Sequence, residues 1–160
     1  MNAFTPTDLP DVQATRDVRG HAIQRVGIRG VTHPVTVQTG QGVHASIAQV
    51  EMYVSLPADQ KGTHMSRFVE ILNGLDAPLD TSSLSLVLRA MLARLESDGG
   101  FLSFRMPVFL RKSAPVSGIE SLMDYDMSLR AEQVDGEARI ELEVTTPVTS
   151  LCPCSKTISR

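Results

Sequence analysis

Two cysteines, Cys152 and Cys154, stand either side of Pro153 late in a 160-residue chain that contains no others. Thiolates are the softest ligands and strongest nucleophiles that side chains offer. In an extended segment, residues two apart project to the same side, so both sulfurs can face one ligand. The spacing is tighter than a Cys-x-x-Cys zinc knuckle and no second pair exists, so the two thiolates cannot close a structural zinc site alone. A metal held here has to borrow His or carboxylate ligands. A site with few protein ligands keeps a position for water, which is the catalytic arrangement. The bland alternative is a pair of partly buried thiols with no task.

A second stretch with chemistry in it is Lys61-Gly62-Thr63-His64-Met65-Ser66-Arg67. Its basic residues and hydroxyls fall at the predicted start of a helix, where unpaired backbone N–H groups and the dipole favour an anion. Gly62 allows close backbone approach, and the dipole favours a neutral His64 able to accept a proton or a metal. An ordinary solvated cap is the competing reading. Glu141 and Glu143, like Asp124 and Asp126, fall on the outward face of predicted strands and read as solvated charge. His21, His33 and His44 have no partner at ligand spacing. No dinucleotide fingerprint, P-loop or nucleophile elbow is present.

The elements that must position these residues follow from hydrophobic period. Residues 1–24, rich in Pro, Asp and Thr, read as an extended arm. Apolar alternation between Val26 and Thr39 and again from Ala48 to Leu56 predicts two strands joined at Gly40-Gln41-Gly42 as a hairpin. Pro57 ends the second strand. Met65, Phe68, Val69 and Leu72 recur at helical spacing after Thr63, the expected N-cap, and stop at Asn73-Gly74. A second helix, capped within Asp80–Ser83, places Leu84, Val87, Leu88, Met91 and Leu95 on one face. Three strands follow: Leu102–Leu110, with Pro107 marking an edge or bulge; Met123–Leu129; and Ala138–Val144, the last two joined by an Asp135-Gly136 turn. The order β-β-α-α-β-β-β predicts an α+β fold, an antiparallel sheet with a pair of antiparallel helices on one face.

Composition bounds the rest. A hydrophobic share of 42% and a charged share of 21% suit an ordinary globular domain. A net charge of −3 gives no general attraction to nucleic acid. The N-terminal residues carry no basic region followed by an apolar run, and no apolar stretch is long enough to span a bilayer, so the expectation is a cytoplasmic protein with neither nucleic-acid nor membrane partner.

Four stretches in this order resemble one family, the type IB GTP cyclohydrolases: Leu9-Pro10-Asp11-Val12-Gln13; Lys61 to Glu70; Ala114-Pro115-Val116-Ser117-Gly118 with Ser121-Leu122-Met123-Asp124-Tyr125; and Pro147-Val148-Thr149-Ser150-Leu151-Cys152-Pro153-Cys154-Ser155-Lys156. The resemblance implies a tunnelling fold assembled into a homo-oligomeric barrel, a tetramer with active sites at subunit interfaces. It implies one divalent metal ion (zinc, manganese or iron(II)) and hydrolysis of GTP to 7,8-dihydroneopterin triphosphate and formate, the first step of tetrahydrofolate synthesis. Cys152 matches the family's metal-ligand cysteine, while Cys154 and Lys156 match neighbours in its motif. Lys61, His64, Ser66 and Arg67 match the helix-start motif, where the anion argument makes them candidate substrate contacts. In the family the sequence runs on to a histidine ligand and a second module with acidic ligands. Residues 25–160 are thus expected to be the first module, inactive without those ligands. The alternatives are a tunnelling-fold nitrile reductase with a cysteine nucleophile and a non-catalytic oligomerising or purine-binding module.

Overall fold

The structure, a computed structural model, describes Val18 and residues 20–148. Seven elements appear in the predicted order: β1 (Ile23–Thr39), β2 (Gly42–Leu56), α1 (Met65–Asn73), α2 (Thr81–Leu95), β3 (Gly100–Ser113), β4 (Glu120–Val134) and β5 (Glu137–Thr145). The strands form one antiparallel sheet in sequence order, β1-β2-β3-β4-β5. Each neighbour is joined by a hairpin, except where the two helices link β2 to β3. Asp135 and Gly136, both at positive φ (51° and 84°), turn β4 into β5, as a two-residue type I′ connection requires.

The helices cover one face of the sheet. Alternate residues Ala48, Val50, Met52 and Val54 of β2, Leu102, Phe104, Met106 and Val108 of β3, and Met127, Leu129 and Ala131 of β4 are buried beneath them. From above come Phe68 and Leu72 of α1 and Leu84, Leu88, Met91, Leu92 and Leu95 of α2. Each buried Val, Leu, Met and Phe side chain contributes about 1.5–3 kcal/mol, and Phe68 and Phe104 are the aromatic residues of the described core.

Three expectations shift. In β1 a bulge lies between Arg29 and Val31, and Gly30, at φ +68°, is the inserted residue. It moves the core-facing positions from Val26 and Ile28 to Val35 and Val37. The strand also starts at Ile23, inside the stretch read as an arm, while residues 1–17 lie outside the described residues. In α1 the N-cap is His64, one residue after Thr63. The helix turns Phe68, Ile71 and Leu72 to the core, with Leu75 just beyond it, and leaves Met65 and Val69 exposed. In β5, Leu142 and Val144 are more than half exposed because the helical layer reaches only as far as Ile140.

The ladder between the two long hairpins runs over Gln49–Val54 and Gly100–Arg105, extended by Ser55 donating to the Gly99 carbonyl. Beyond Arg105 they part. Pro107 sits at the split with its carbonyl accepting from Ser46 Oγ at 2.6 Å, so its missing N–H falls where no ladder bond is required. The edge expectation holds locally, although β3 is the central strand.

Candidate functional site

Lys61, His64, Ser66 and Arg67 sit where the connection from β2 enters α1. Lys61 and Ser66 are exposed, and His64 and Arg67 half-buried. His64 takes extended dihedrals (φ −82°, ψ 106°) and does not cap the helix with its side chain, and the first turn has no acidic residue. No acidic residue of the first turn therefore offsets the positive end of the α1 dipole. Arg67 points the other way: Nη1 donates to the Arg94 carbonyl at 3.0 Å and approaches Glu96 Oε1 at 3.5 Å. Those acceptors are the last turn and left-handed C-cap (φ 54°) of α2. A cation there complements the negative end of the helix. Arg94 returns a bond to Glu70 at 2.8 Å, so crossed arginine contacts join the two helices. Residues 61–66 are thus anchored from behind through Arg67.

At the other end of α2, Asp80 and Ser83 form a capping box: Asp80 Oδ1 accepts from the Ser83 N–H at 2.6 Å, and the Asp80 N–H donates to Ser83 Oγ at 2.8 Å. That backbone hydrogen bond holds the Asp80 carboxyl below the usual carboxylate range. Leu79, just before it, bonds both ways to the outer edge of β1, donating to Thr36 at 2.7 Å and accepting from Gln38 at 3.0 Å. The helical layer is thereby locked to the sheet at one end by Leu79 and at the other by Ser97, which bonds to Ser55 and Gly99.

Cys152, Cys154 and Lys156 lie outside the described residues. What is described is where their segment leaves the sheet: β5 ends at Thr145, opposite Asp126. Arg139, opposite Glu132, lies at the end of the sheet nearer the α1 start. The run from Arg139 to Thr145 covers roughly 20 Å of strand. The two sequence-predicted groups therefore join the sheet at separate places. Among the described residues, no three His, Cys, Asp or Glu side chains converge as a metal site. The donor chemistry that suits a metal is the thiolate pair in the sequence.

The face of the sheet without helices carries a grid of charge. Arg29 pairs with Glu51 at 3.2 Å, Arg25 with Glu132 at 3.0 Å, and Arg130 with Glu143 at 2.7 Å. Exposed pairs of this kind contribute little stability each but keep the face polar. At one end Arg25 also lies 4.7 Å over the ring of Phe101, which stacks on Tyr53 beside a depression of about 440 Å³. Reading these positions as solvated strand faces hides their pairing, which depends on cross-strand register. On the covered side, His44 Nε2 is buried with no hydrogen-bond partner among the described residues.

A five-stranded antiparallel sheet with two helices on one face, in the order β-β-α-α-β-β-β, is the architecture of a tunnelling-type α+β module. The family model described as type I GTP cyclohydrolase folE2 matches residues 9–160, and the chain belongs to this family. It is 51% identical to the GTP cyclohydrolase FolE2 of Cupriavidus necator, over 100% of this chain and 60% of that protein. Identity to the protein of the same name from Herminiimonas arsenicoxydans is 50%, over 94% of this chain and 58% of the relative. With that of a Janthinobacterium species it is 51%, over 99% and 60%. The chain spans about 60% of the length of these curated relatives. No helix among the described residues is long and apolar enough to cross a membrane.

Proposed function

We propose that this chain is the first module of a metal-dependent GTP cyclohydrolase that converts GTP to 7,8-dihydroneopterin triphosphate and formate, opening tetrahydrofolate synthesis. One observation carries the reading: a family match that runs from residue 9 through the cysteine motif, with identity near one half along the same span. Cys152 is the chain's metal ligand, with Cys154 and Lys156 beside it. Zinc, manganese and iron(II) are the candidate ions. When bound, such an ion brings the pKa of water toward neutrality and stabilises developing negative charge.

The chain's own residues bind and orient. Lys61, His64 and Ser66 meet the anionic substrate at the start of α1, where the positive end of the helix dipole supports negative charge. Arg67 holds that start against α2. The protein works in the cytoplasm as a homo-oligomer, a tetramer. Two features support self-assembly. The outer edge of β5 has no strand partner among the described residues, and beyond the Leu79 contact β1 presents a long edge; open edges of this kind pair with other chains.

The test is a GTP assay on the full-length protein stripped of metal and reloaded separately with zinc, manganese or iron(II), following formate and pterin fluorescence, with light scattering for mass. Turnover that returns with one ion, in a tetramer, is expected. Full activity in the stripped enzyme, or none with any ion, refutes the assignment.

A further inference from the structure

Strand β3 is the middle strand of the sheet, and Arg105 faces away from the helices, between Gln49 of β2 and Ser128 of β4. The neighbouring guanidiniums on this face, Arg25, Arg29, Arg130 and Arg139, are each held by a glutamate. Arg105 is exposed and makes no hydrogen bond or ion pair with any described residue. Directly opposite, Ser128 is only 7% exposed, and its hydroxyl also has no partner among the described residues. Both side chains line the same depression of about 620 Å³.

We infer that Arg105 and Ser128 form a binding site for a compact oxyanion of the phosphate class, seated on the uncovered face of the central strand. The guanidinium offers a planar fork of N–H donors that matches two oxyanion oxygens. The Ser128 hydroxyl, lining the same depression, supplies a further donor. Arg130, on the adjacent row, adds positive potential, tempered by its pairing with Glu143. Asp126 lines the depression as well and is likewise unpaired among the described residues. Its carboxylate repels negative charge on that side, so the site takes one oxyanion group and disfavours an extended polyanion. The inference uses neither the cysteine segment nor the start of α1, and it stands apart from the cyclohydrolase reading.

Calorimetric titration of the full-length protein with inorganic phosphate, at low ionic strength so that screening is weak, tests the site. Wild type is expected to bind saturably. Arg105→Gln weakens binding by about tenfold or more, as loss of a charge-assisted pair implies. Ser128→Ala weakens it less, and Asp126→Asn tightens it. Arg139→Gln, which removes a guanidinium already engaged by Glu141, leaves binding unchanged. Thermal melts of each variant establish that it is folded. Absence of saturable binding in wild type, an Arg105→Gln protein that binds like wild type, or an Asp126→Asn protein that binds more weakly overturns the inference.

Discussion

The side chain of Gln41 pairs with the backbone of Arg111 as a neighbouring strand would: Nε2 donates to the Arg111 carbonyl at 2.8 Å, and Oε1 accepts from the Arg111 N–H at 2.9 Å. The contact bridges the two hairpins after their ladder has ended at Gln49 and Arg105. One amide thus replaces a pair of backbone bonds near the tip of each hairpin. Gln41→Ala removes both, and at about 0.5–1.5 kcal/mol each the loss is about 1–3 kcal/mol, towards the lower end for exposed, water-competed bonds. Urea unfolding reads that cost, and hydrogen exchange at the Arg111 amide should accelerate. Gln41→Glu keeps an acceptor for the N–H but no donor for the carbonyl, so it falls between the two. Unchanged exchange at Arg111 in the alanine variant would show that the tips are held by something else.

Arg67 has a task independent of any ligand. Its bonds to the Arg94 carbonyl and Glu96 finish the C-terminus of α2, and with a side chain 27% exposed it is partly shielded from solvent. Arg67→Ala should cost about 1 kcal/mol, a fall of roughly 2–4 °C in Tm for a chain of this size. Arg67→Lys recovers part of it, since an ammonium reaches one acceptor but lacks the fork. If alanine melts like wild type, the strut is not real, and Arg67 returns to the set of candidate substrate contacts.

The capping box at α2 makes a signed prediction about pH. The Ser83 N–H holds the Asp80 carboxyl below its ordinary value. A carboxyl depressed in the folded state stabilises the fold at pH above its unfolded value, and that contribution is lost as pH falls through the depressed folded value. Asn at this position keeps the capping acceptor without titrating. The stability difference between wild type and Asp80→Asn should therefore be constant near neutrality and shift against wild type only under acid. Parallel denaturation curves across the acid range check this, and a difference that does not move with pH removes Asp80 from the acid response.

Much of the architecture is legible in the chain because period and punctuation agree. Ala48 to Leu56 alternates cleanly, and every expected inward residue is buried. Asn73-Gly74 stops α1 where expected, and Asp135-Gly136 turns the last hairpin. The departures each have a physical origin. Gly30 flips the alternation in β1, and a lone glycine in a sequence does not announce which side of the bulge faces the core. Gly27 carries no visible signal, yet a Cβ there would collide with the Met52 carbonyl oxygen. Leu142 and Val144 alternate like core residues, but burial depends on how far two helices extend over the sheet, which strand pattern does not contain. For the candidate site, the residue types at 61–67 are readable. That Arg67 turns back to α2 while Arg105 has no partner among the described residues depends on register and on α1 packing against α2.

The metal assignment yields a separation of stability from activity. Among the described residues, the core cluster and the side chains packed on it run from Val26 to Ile140. Cys152→Ser exchanges a soft thiolate for a hydroxyl that binds these ions poorly. Metal content measured on the purified full-length protein should fall to background, and turnover should drop by more than about 100-fold, since loss of even an outer supporting group costs 10–100-fold. The melting temperature measured without added metal should match that of stripped wild type, because the described core is complete without this segment. Cys154→Ser, one residue beyond the proline, separates the roles of the two thiols: retained metal with reduced turnover makes it a substrate neighbour, and lost metal makes it a second ligand. A Cys152→Ser protein that keeps its metal and its GTP turnover removes Cys152 from the site. A variant that unfolds shows instead that the segment belongs to the scaffold.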